Sequence, residues 1–542
     1  MSAQPRPKPA EFHVFDTTLR DGSQQEGINL SVADKLAIAA MLDELGVGFI
    51  EGGWPGANPT DTAFFAAMSD GALTLKNAQL VSFGFTRRVG MMAADDPLTA
   101  ALRNARAPVA CIVAKSHDRH VEQALHTSLS ENLAMITDTV RHLRSEGQRV
   151  FVDCEHFFDG YRENPGYAVE VVRTAAQAGA EVVVLCDTNG GMLPPWIGEI
   201  VTAVNETGVP LGIHAHNDAG CAVANTLAAV DAGVMHVQGT VNGYGERTGN
   251  AELLSIVANL ELKYGWPLLP AGSLREATRL AHAIAEVTNV PPSARQPYVG
   301  LSSFAHKAGL HASAIKVDPN LYQHIDPALV GNDMRMLVSH MAGRANVQIK
   351  GEELGFDLSD RELAARITDR VKDAEAAGYT YEAADASFEL LLRRELGQLP
   401  ELFRVHSWRV FTQSTHGQET DTECTVRLTA KRQSQRVVGE GNGPVNALDH
   451  AIRKALLSAY PTVEKFELID YKVRILDQGH GTDATVRVLI ETTDGLSAWT
   501  TVGVGQNIIE ASWEALCEAY LYGLIHTDDA SELSAAELAM AR

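Results

Sequence analysis

The chain has 542 residues, 45% of them hydrophobic, with a formal net charge of −23 at pH 7 and a pI near 5.2. That length exceeds what one ordinary core organises and calls for two or three domains, one of them large enough for an α/β barrel. The acidic balance, with no Lys/Arg-rich block, excludes the basic face that nucleic-acid or anionic-membrane binding requires, and six scattered cysteines without a CxxC pair read as reduced, mostly structural thiols.

The opening MSAQPRPKPAEF is polar and Pro-rich, with no apolar core of signal-peptide type, so residues 1–10 read as disordered. No run approaches about 18 consecutive apolar residues, which predicts a cytoplasmic chain without a membrane partner.

Eight short β-rich runs follow: FHVFDTT near 12, VGFIEGG near 47, LVSFGF near 80, VACIVAK near 109, RVFVDCEH near 149, EVVVLCDT near 181, PLGIHAHND near 210 and HVQGTVNG near 236. Each precedes an Ala/Leu-rich stretch of helical period. Their starts lie 25 to 40 residues apart, the spacing of β/α units, which predicts a (β/α)8 TIM barrel over residues 11–290. A doubly wound open sheet is the competing arrangement. In LSVADKLAIAAMLDELGVG, Ser31 is placed to cap a helix, Leu36, Ala39, Ala40, Leu42 and Leu45 form its apolar stripe, and Gly46 ends it.

Barrel chemistry sits at the C-terminal ends of the strands. There the sequence places Asp16, Arg20 and Asp21 after strand 1, Glu51 after strand 2, Asp153 and Glu155 at strand 5, Asp187 and Thr188 at strand 6, and His214, His216 and Asp218 at strand 7. Residues two apart on a strand point the same way, so His214 and His216 can converge on one point. Any one of these side chains alone reads equally well as a cap, a loop hydrogen bond or a core histidine. Their coincidence on one rim is the functional signal.

After about residue 290 the β/α rhythm stops. Residues 291–402 read as a helical linker with subdomains contributing to the active site, residues 403–530 as an α+β regulatory domain, and residues 531–542 as a tail. The regulatory segment carries the order strand, turn, strand, G-x-G, helix twice, at a period of roughly 60 residues. The G-x-G lacks the third glycine and distal acid of a dinucleotide fingerprint and reads as a tight strand-to-helix turn.

DTTLRDGSQQEG at 16–27, HAHND at 214–218 and GYGERTGN at 243–250 together resemble the acetyl-CoA-dependent Claisen-type condensing enzymes: the 2-isopropylmalate, homocitrate and citramalate synthases, with the related HMG-CoA lyases. EGGWPGANPTD at 51–61 and FGFTRR at 83–88 look most like the branch that condenses acetyl-CoA with pyruvate, giving (R)-citramalate and CoA in isoleucine biosynthesis. The resemblance implies a divalent metal, Mg²⁺, Mn²⁺ or Zn²⁺, held by Asp21, His214 and His216, with Asn250 as a fourth group. Two nitrogens and one or two hard oxygens would leave positions for a 2-oxo acid to chelate.

It further implies that Arg20 faces the developing oxyanion, a role whose plain alternative is an ion pair with a rim carboxylate, and that Thr188 holds the oxo-acid carboxylate. Glu155, His311 and Tyr322 are candidates for the base, His311 and Tyr322 lying in a segment that can arrive from a partner subunit. Phe83 and Phe85 either wall the substrate pocket or pack the core. Asn217 and Asp218 hold the imidazoles or the loop, and Asp218 alternatively or additionally caps the next helix.

The same resemblance implies a homodimer and feedback by isoleucine, or by leucine if the substrate is 2-oxoisovalerate. A 2-isopropylmalate synthase is the nearest alternative. A lyase would not need the duplicated C-terminal segment, and a non-catalytic amino-acid sensor would not need Arg20, Asp21, His214 and His216.

Overall fold

A computed structural model describes residues 8–339, 341, 343–414, 420–476 and 484–527. Most of the expected disordered start and all of the 531–542 tail lie outside the described residues. The chain divides into two units, the first Met1–Phe304 with Ile325–Met334, the second Ala305–His324 with Arg335–Arg542.

In the first unit, strands β1 (His13–Asp16), β2 (Phe49–Gly53), β3 (Gln79–Phe85), β4 (Val109–Lys115), β5 (Arg149–Glu155), β6 (Val182–Asp187), β7 (Leu211–Ala215) and β8 (His236–Gly239) occupy the eight expected places. They pair in parallel in chain order, and β8 returns to β1, so the sheet is a closed barrel and the open-sheet alternative is excluded.

The helix Val32–Leu45 follows from its ends. Ser31 Oγ accepts the Asp34 N–H at 3.2 Å, the Asp34 carboxylate accepts the Ser31 N–H at 2.9 Å, and Gly46 stops the helix at φ 92°. Its inward stripe is shifted from the expected one: Ile38, Ala39, Leu42 and Leu45 are buried, whereas Leu36 and Ala40 are only half-buried. Lys35 is buried too, because its ammonium reaches the rim, where Leu19 O at 2.9 Å, Gly52 O at 3.0 Å and the Asp61 carboxylate receive it.

The barrel interior is layered. At the end where strands begin, the rings of His13, Phe15, Phe49, Phe151 and His236 meet with centroids 4.9–6.4 Å apart. A fully apolar layer including Val81, Val109, Val182 and Val184 also fills the interior. Toward the strand ends the side chains become polar and stay buried: Asp16, Glu51, Asp153, Asp187, His214 and Gln238.

The second unit begins with a two-stranded ladder, β9 (Ala305–His306) with β10 (Arg335–Met336), and the helices Gly309–Ile315, Arg344–Glu353, Arg361–Ala376 and Asp385–Glu395. It continues through β11 (Phe403–Gln413), β12 (Asp421–Ala430), β13 (Gln433–Gly441) and the helix Pro444–Leu457, then β14 (Glu467–Ile475), β15 (Val486–Thr493), β16 (Ala498–Gly505) and the helix Ile508–Ile525. Each repeat is therefore an antiparallel three-stranded sheet and a helix. The leading strands β11 and β14 were not expected from sequence, since both are edge strands with mostly exposed or half-buried side chains and give weak alternation.

The glycines of the repeat have a packing role. A Cβ on Gly439 would lie 2.4 Å from Ala451 N, and one on Gly503 would lie 2.0 Å from Ala511 O. Helix backbone thus rests directly on β13 and on β16. Among the described residues no helix is long and apolar enough to cross a membrane.

Candidate active site

The loop after β1 turns back over the barrel mouth: Asp16 accepts the Thr18 N–H at 2.9 Å, and Thr18 Oγ1 accepts the Val241 N–H at 2.9 Å, stitching β1 to the segment after β8. This brings Asp21 over the end of β7. Its Oδ2 lies 3.5 Å from His214 Nε2 and 3.3 Å from His216 Nε2, and the two Nε2 atoms are 3.1 Å apart. All three side chains are buried.

Asp21 Oδ2 makes no hydrogen bond of good geometry, and the buried Asn250 Oδ1 has no partner either, while Asn250 Nδ2 donates to Tyr244 O at 3.0 Å. Two convergent nitrogens on an unsatisfied buried carboxylate oxygen are a donor set that fits a divalent cation, and Asn250, its own oxygen unsatisfied, is bridged to His216 through the backbone. Three of the four groups expected from sequence meet here, and the fourth presents its oxygen unpaired.

The electrostatics follow from burial and neighbours. Burial would raise the Asp21 carboxyl, but the Arg20 charge and the contacts of both imidazoles outweigh it and hold its pKa well below the usual range. Burial lowers His216, with Asp21 only partly offsetting it. For His214 burial also pulls down, yet Asp21 and Asp153 prevail and its pKa is raised.

Arg20 is fixed on three sides. Its Nε donates to Glu51 Oε2 at 2.7 Å, its Nη1 to Asp21 Oδ1 at 2.8 Å, and its guanidinium lies over the Phe83 ring, 3.9 Å from the centroid. The ion pair with a rim carboxylate is therefore present, and the same guanidinium also reaches the Asp21 carboxylate beside the two imidazoles. Phe83, Phe85 and Trp54 form an aromatic cluster with centroids 4.8–5.9 Å apart, so the two phenylalanines pack against each other, and Phe83 also borders Arg20.

At the far side of the mouth, Thr188 Oγ1 accepts the His156 N–H at 2.8 Å, which leaves the Thr188 hydroxyl hydrogen to donate elsewhere. Glu155 is ion-paired with Lys115 at the end of β4. His311 and Tyr322 belong to the second unit, where their rings stack at 4.1 Å.

Asp218 does not cap the helix Ala222–Ala232: the position before that helix is Cys221, without a side-chain cap. Asn217 Oδ1 instead accepts the Ala222 N–H at 3.1 Å. Asp218 binds Arg247, with Oδ1 2.8 Å from Nε and Oδ2 2.9 Å from Nη2, and Arg247 Nη2 lies 2.7 Å from His216 Nδ1. The carboxylate thus supports His216 through an arginine.

Sequence reasoning did not single out Trp54, Lys115, Gln238 or Arg247. Gln238 Oε1 is 2.8 Å from His214 Nδ1, and its amide nitrogen donates to Asp153 Oδ1 at 3.0 Å. Burial and the nearby Glu51 charge push Asp153 up to about 6. A glutamine on a strand carries no motif by itself, and only its opposition to the HxH strand gives it meaning. All six cysteines are free, four of them buried.

The chain matches the HMGL-like family over residues 11–281, a homocitrate synthase post-HMGL domain-like family over 298–378, and a LeuA allosteric (dimerisation) domain over 382–524. It is 65% identical to an (R)-citramalate synthase of Streptomyces coelicolor, covering 95% of this chain and 97% of that protein. It is 47% identical to one of Aquifex aeolicus, covering 96% and 99%. A 2-isopropylmalate synthase of Lysinibacillus sphaericus is 30% identical, covering 94% and 97%. With a matched family across the barrel and such identity along the whole length, the chain belongs to the (R)-citramalate synthase family of HMGL-like condensing enzymes.

Proposed function

We propose that the chain condenses acetyl-CoA with pyruvate and hydrolyses the resulting thioester to give (R)-citramalate and CoA. The observation that carries this is the buried Asp21, His214 and His216 donor set beside Arg20, in a chain 65% identical to an (R)-citramalate synthase. Asp21, His214 and His216, with the Asn250 oxygen, hold a divalent cation, Mg²⁺, Mn²⁺ or Zn²⁺. When bound, it supplies Lewis acidity toward the ketone of the 2-oxo acid.

Arg20, kept charged and oriented by Glu51, faces the oxygen that becomes negative as the acetyl carbanion attacks. Thr188 donates its hydroxyl hydrogen to the oxo-acid carboxylate, the oxygen being steadied by His156 N–H. The acetyl methyl proton passes to a base drawn from Glu155, His311 and Tyr322. Of these, Glu155 is paired with Lys115 at the end of β4.

Phe83 lies against Arg20 and is backed by Trp54 and Phe85, a ring cluster that favours the methyl of pyruvate over the isopropyl of 2-oxoisovalerate. The C-terminal segment acts as the regulatory domain, with isoleucine as its effector, and pairs two chains. Phe411 on β11 and Ile469, Val473 and Ile475 on β14 are exposed apolar side chains suited to that contact.

The test is CoA release from acetyl-CoA with Mg²⁺ or Mn²⁺, comparing pyruvate, 2-oxoisovalerate and 2-oxoglutarate, each with isoleucine or leucine. Preference for pyruvate with isoleucine inhibition supports the reading. Preference for 2-oxoisovalerate with leucine inhibition replaces it with the isopropylmalate reaction, and no release with any acid overturns it.

A further inference from the structure

The two imidazoles at the mouth differ in what stands behind them. Behind His216 is Arg247, whose side chain is 42% exposed and can swing into solvent. Behind His214 everything is buried: Gln238 is 0% exposed and Asp153 3%.

A glutamine amide can present either its oxygen or its nitrogen, and the neighbour on its other side decides which. The Asp153 carboxylate only accepts, so it takes the Gln238 N–H at 3.0 Å. The amide oxygen is thereby turned to His214 Nδ1 at 2.8 Å. An oxygen facing a ring nitrogen requires that nitrogen to carry the hydrogen, which leaves the lone pair on Nε2. Nε2 is the atom that stands 3.1 Å from His216 Nε2 and 3.5 Å from Asp21 Oδ2. With the reversed amide, Nε2 would bear the hydrogen and could bind nothing.

We propose that Gln238 is a positioning residue which, oriented by Asp153, holds the neutral His214 ring in the Nδ1–H form, so that its lone pair lies on Nε2, toward the site of a divalent cation. The proposal rests on the metal-dependent reading of the site and is independent of which oxo acid is used. Arg247 has only donors, and at 2.7 Å it fills the His216 Nδ1 lone pair, so His216 can ligate through Nε2 only once Arg247 moves off that nitrogen, whereas Gln238 sets His214 for ligation as it stands.

Two measurements on the full-length chain test this, neither reading turnover. The first uses the wild type after chelator treatment, with ¹⁵N-labelled histidine, His214 being assigned by its loss in His214→Gln. At a pH high enough that the metal-free imidazole is neutral, protonated Nδ1 and bare Nε2 are the expected result, and a hydrogen on Nε2 of the neutral ring overturns the proposal.

The second is a Mn²⁺ titration. Loss of an outer hydrogen-bond partner of a ligand costs about 10- to 100-fold in metal affinity, so Gln238→Leu is expected to weaken Mn²⁺ by about that factor. Asp153→Leu, which frees the amide to reverse, is expected to weaken it as well, and Gln238→Glu, which keeps an acceptor for Nδ1–H, is expected to restore it. Mn²⁺ binding unchanged in both leucine variants overturns the proposal. If the wild type proves inactive with every oxo acid yet Gln238→Leu loses Mn²⁺, the function fails and the positioning role stands; the opposite pattern separates them the other way.

Discussion

Replacing Glu51 tests whether Arg20 is held electrostatically. Glu51 is completely buried and Oε2 accepts from Arg20 Nε at 2.7 Å and from Thr17 Oγ1 at 2.6 Å, while the Arg20 side chain is 12% exposed. Glu51→Ala removes one of two counter-charges from a nearly buried guanidinium, and breaking such a pair from one side costs about 3–5 kcal/mol. Glu51→Gln keeps an acceptor for both donors and loses only the charge, for which about 1–3 kcal/mol is expected.

Arg20 freed from Glu51 is no longer pinned over Phe83, so turnover should drop toward the level of a lost oxyanion donor, about 10²–10³-fold in kcat for Glu51→Ala and less for Glu51→Gln. Since the chain has two units, the quantity to follow is the shift of the barrel's own unfolding transition in denaturant, read beside CoA release at saturating pyruvate. Two variants that both unfold within about 0.5 kcal/mol of wild type and turn over normally would refute the reasoning, because a surface-like substitution behaves that way.

Other tests follow from different parts of the fold. Chelation should lower the thermal midpoint and abolish CoA release, and Mn²⁺ at about 100 times its dissociation constant should restore about 2.7 kcal/mol to the barrel; His216→Ala should lose that metal-dependent part. His236 is kept neutral first by burial and then by the charges of His13, His214 and Arg149, its pKa lying well below the ordinary 6.5. The unfolded chain takes up that proton and the folded chain does not, so stability is full above about pH 6.5 and falls as pH drops below it, by up to about 1.4 kcal/mol per pH unit; in acid titrations followed by circular dichroism, His236→Leu should flatten that slope. Phe85→Ala should raise the 2-oxoisovalerate to pyruvate ratio of kcat/KM by about 10- to 200-fold, the range a methylene-sized change in an apolar pocket supports. Gly503→Ala should destabilise the C-terminal domain by at least the 1–3 kcal/mol of overpacking, since its Cβ meets the Ala511 carbonyl oxygen at 2.0 Å, and leave pyruvate turnover without effector intact.

Much of the barrel was legible because its signals are local. Strands of the kind VVVLCD and helices opened by Ser31 and closed by Gly46 declare themselves within a few residues. The candidate site was legible because Arg20, Asp21 and the HxH pair, which the structure brings together, sit in distinctive words. What escaped depends on neighbours far along the chain. Gln238 means nothing until β8 is laid beside β7, Lys35 looks like a solvent lysine until Leu19 O and Gly52 O are seen to receive it, and Arg247 cannot be distinguished from any loop arginine until His216 Nδ1 stands 2.7 Å away. Strands β11 and β14 were missed because none of their side chains is fully buried and each has a register irregularity, between Val405 and Ser407 and between Leu468 and Asp470, that breaks the period of two.

The ring-filled base of the barrel has a consequence for traffic. With His13, Phe15, Phe49, Phe151 and His236 packed across the end where the strands begin, the open end is the polar rim where the strands finish. Oxo acid, thioester, departing thiol and the water that finally cleaves the acyl bond all share that opening. Condensation before hydrolysis therefore cannot be arranged by separate entrances. It has to be arranged by order of arrival, and whatever stands in that opening while the carbon–carbon bond forms is also what keeps the water waiting.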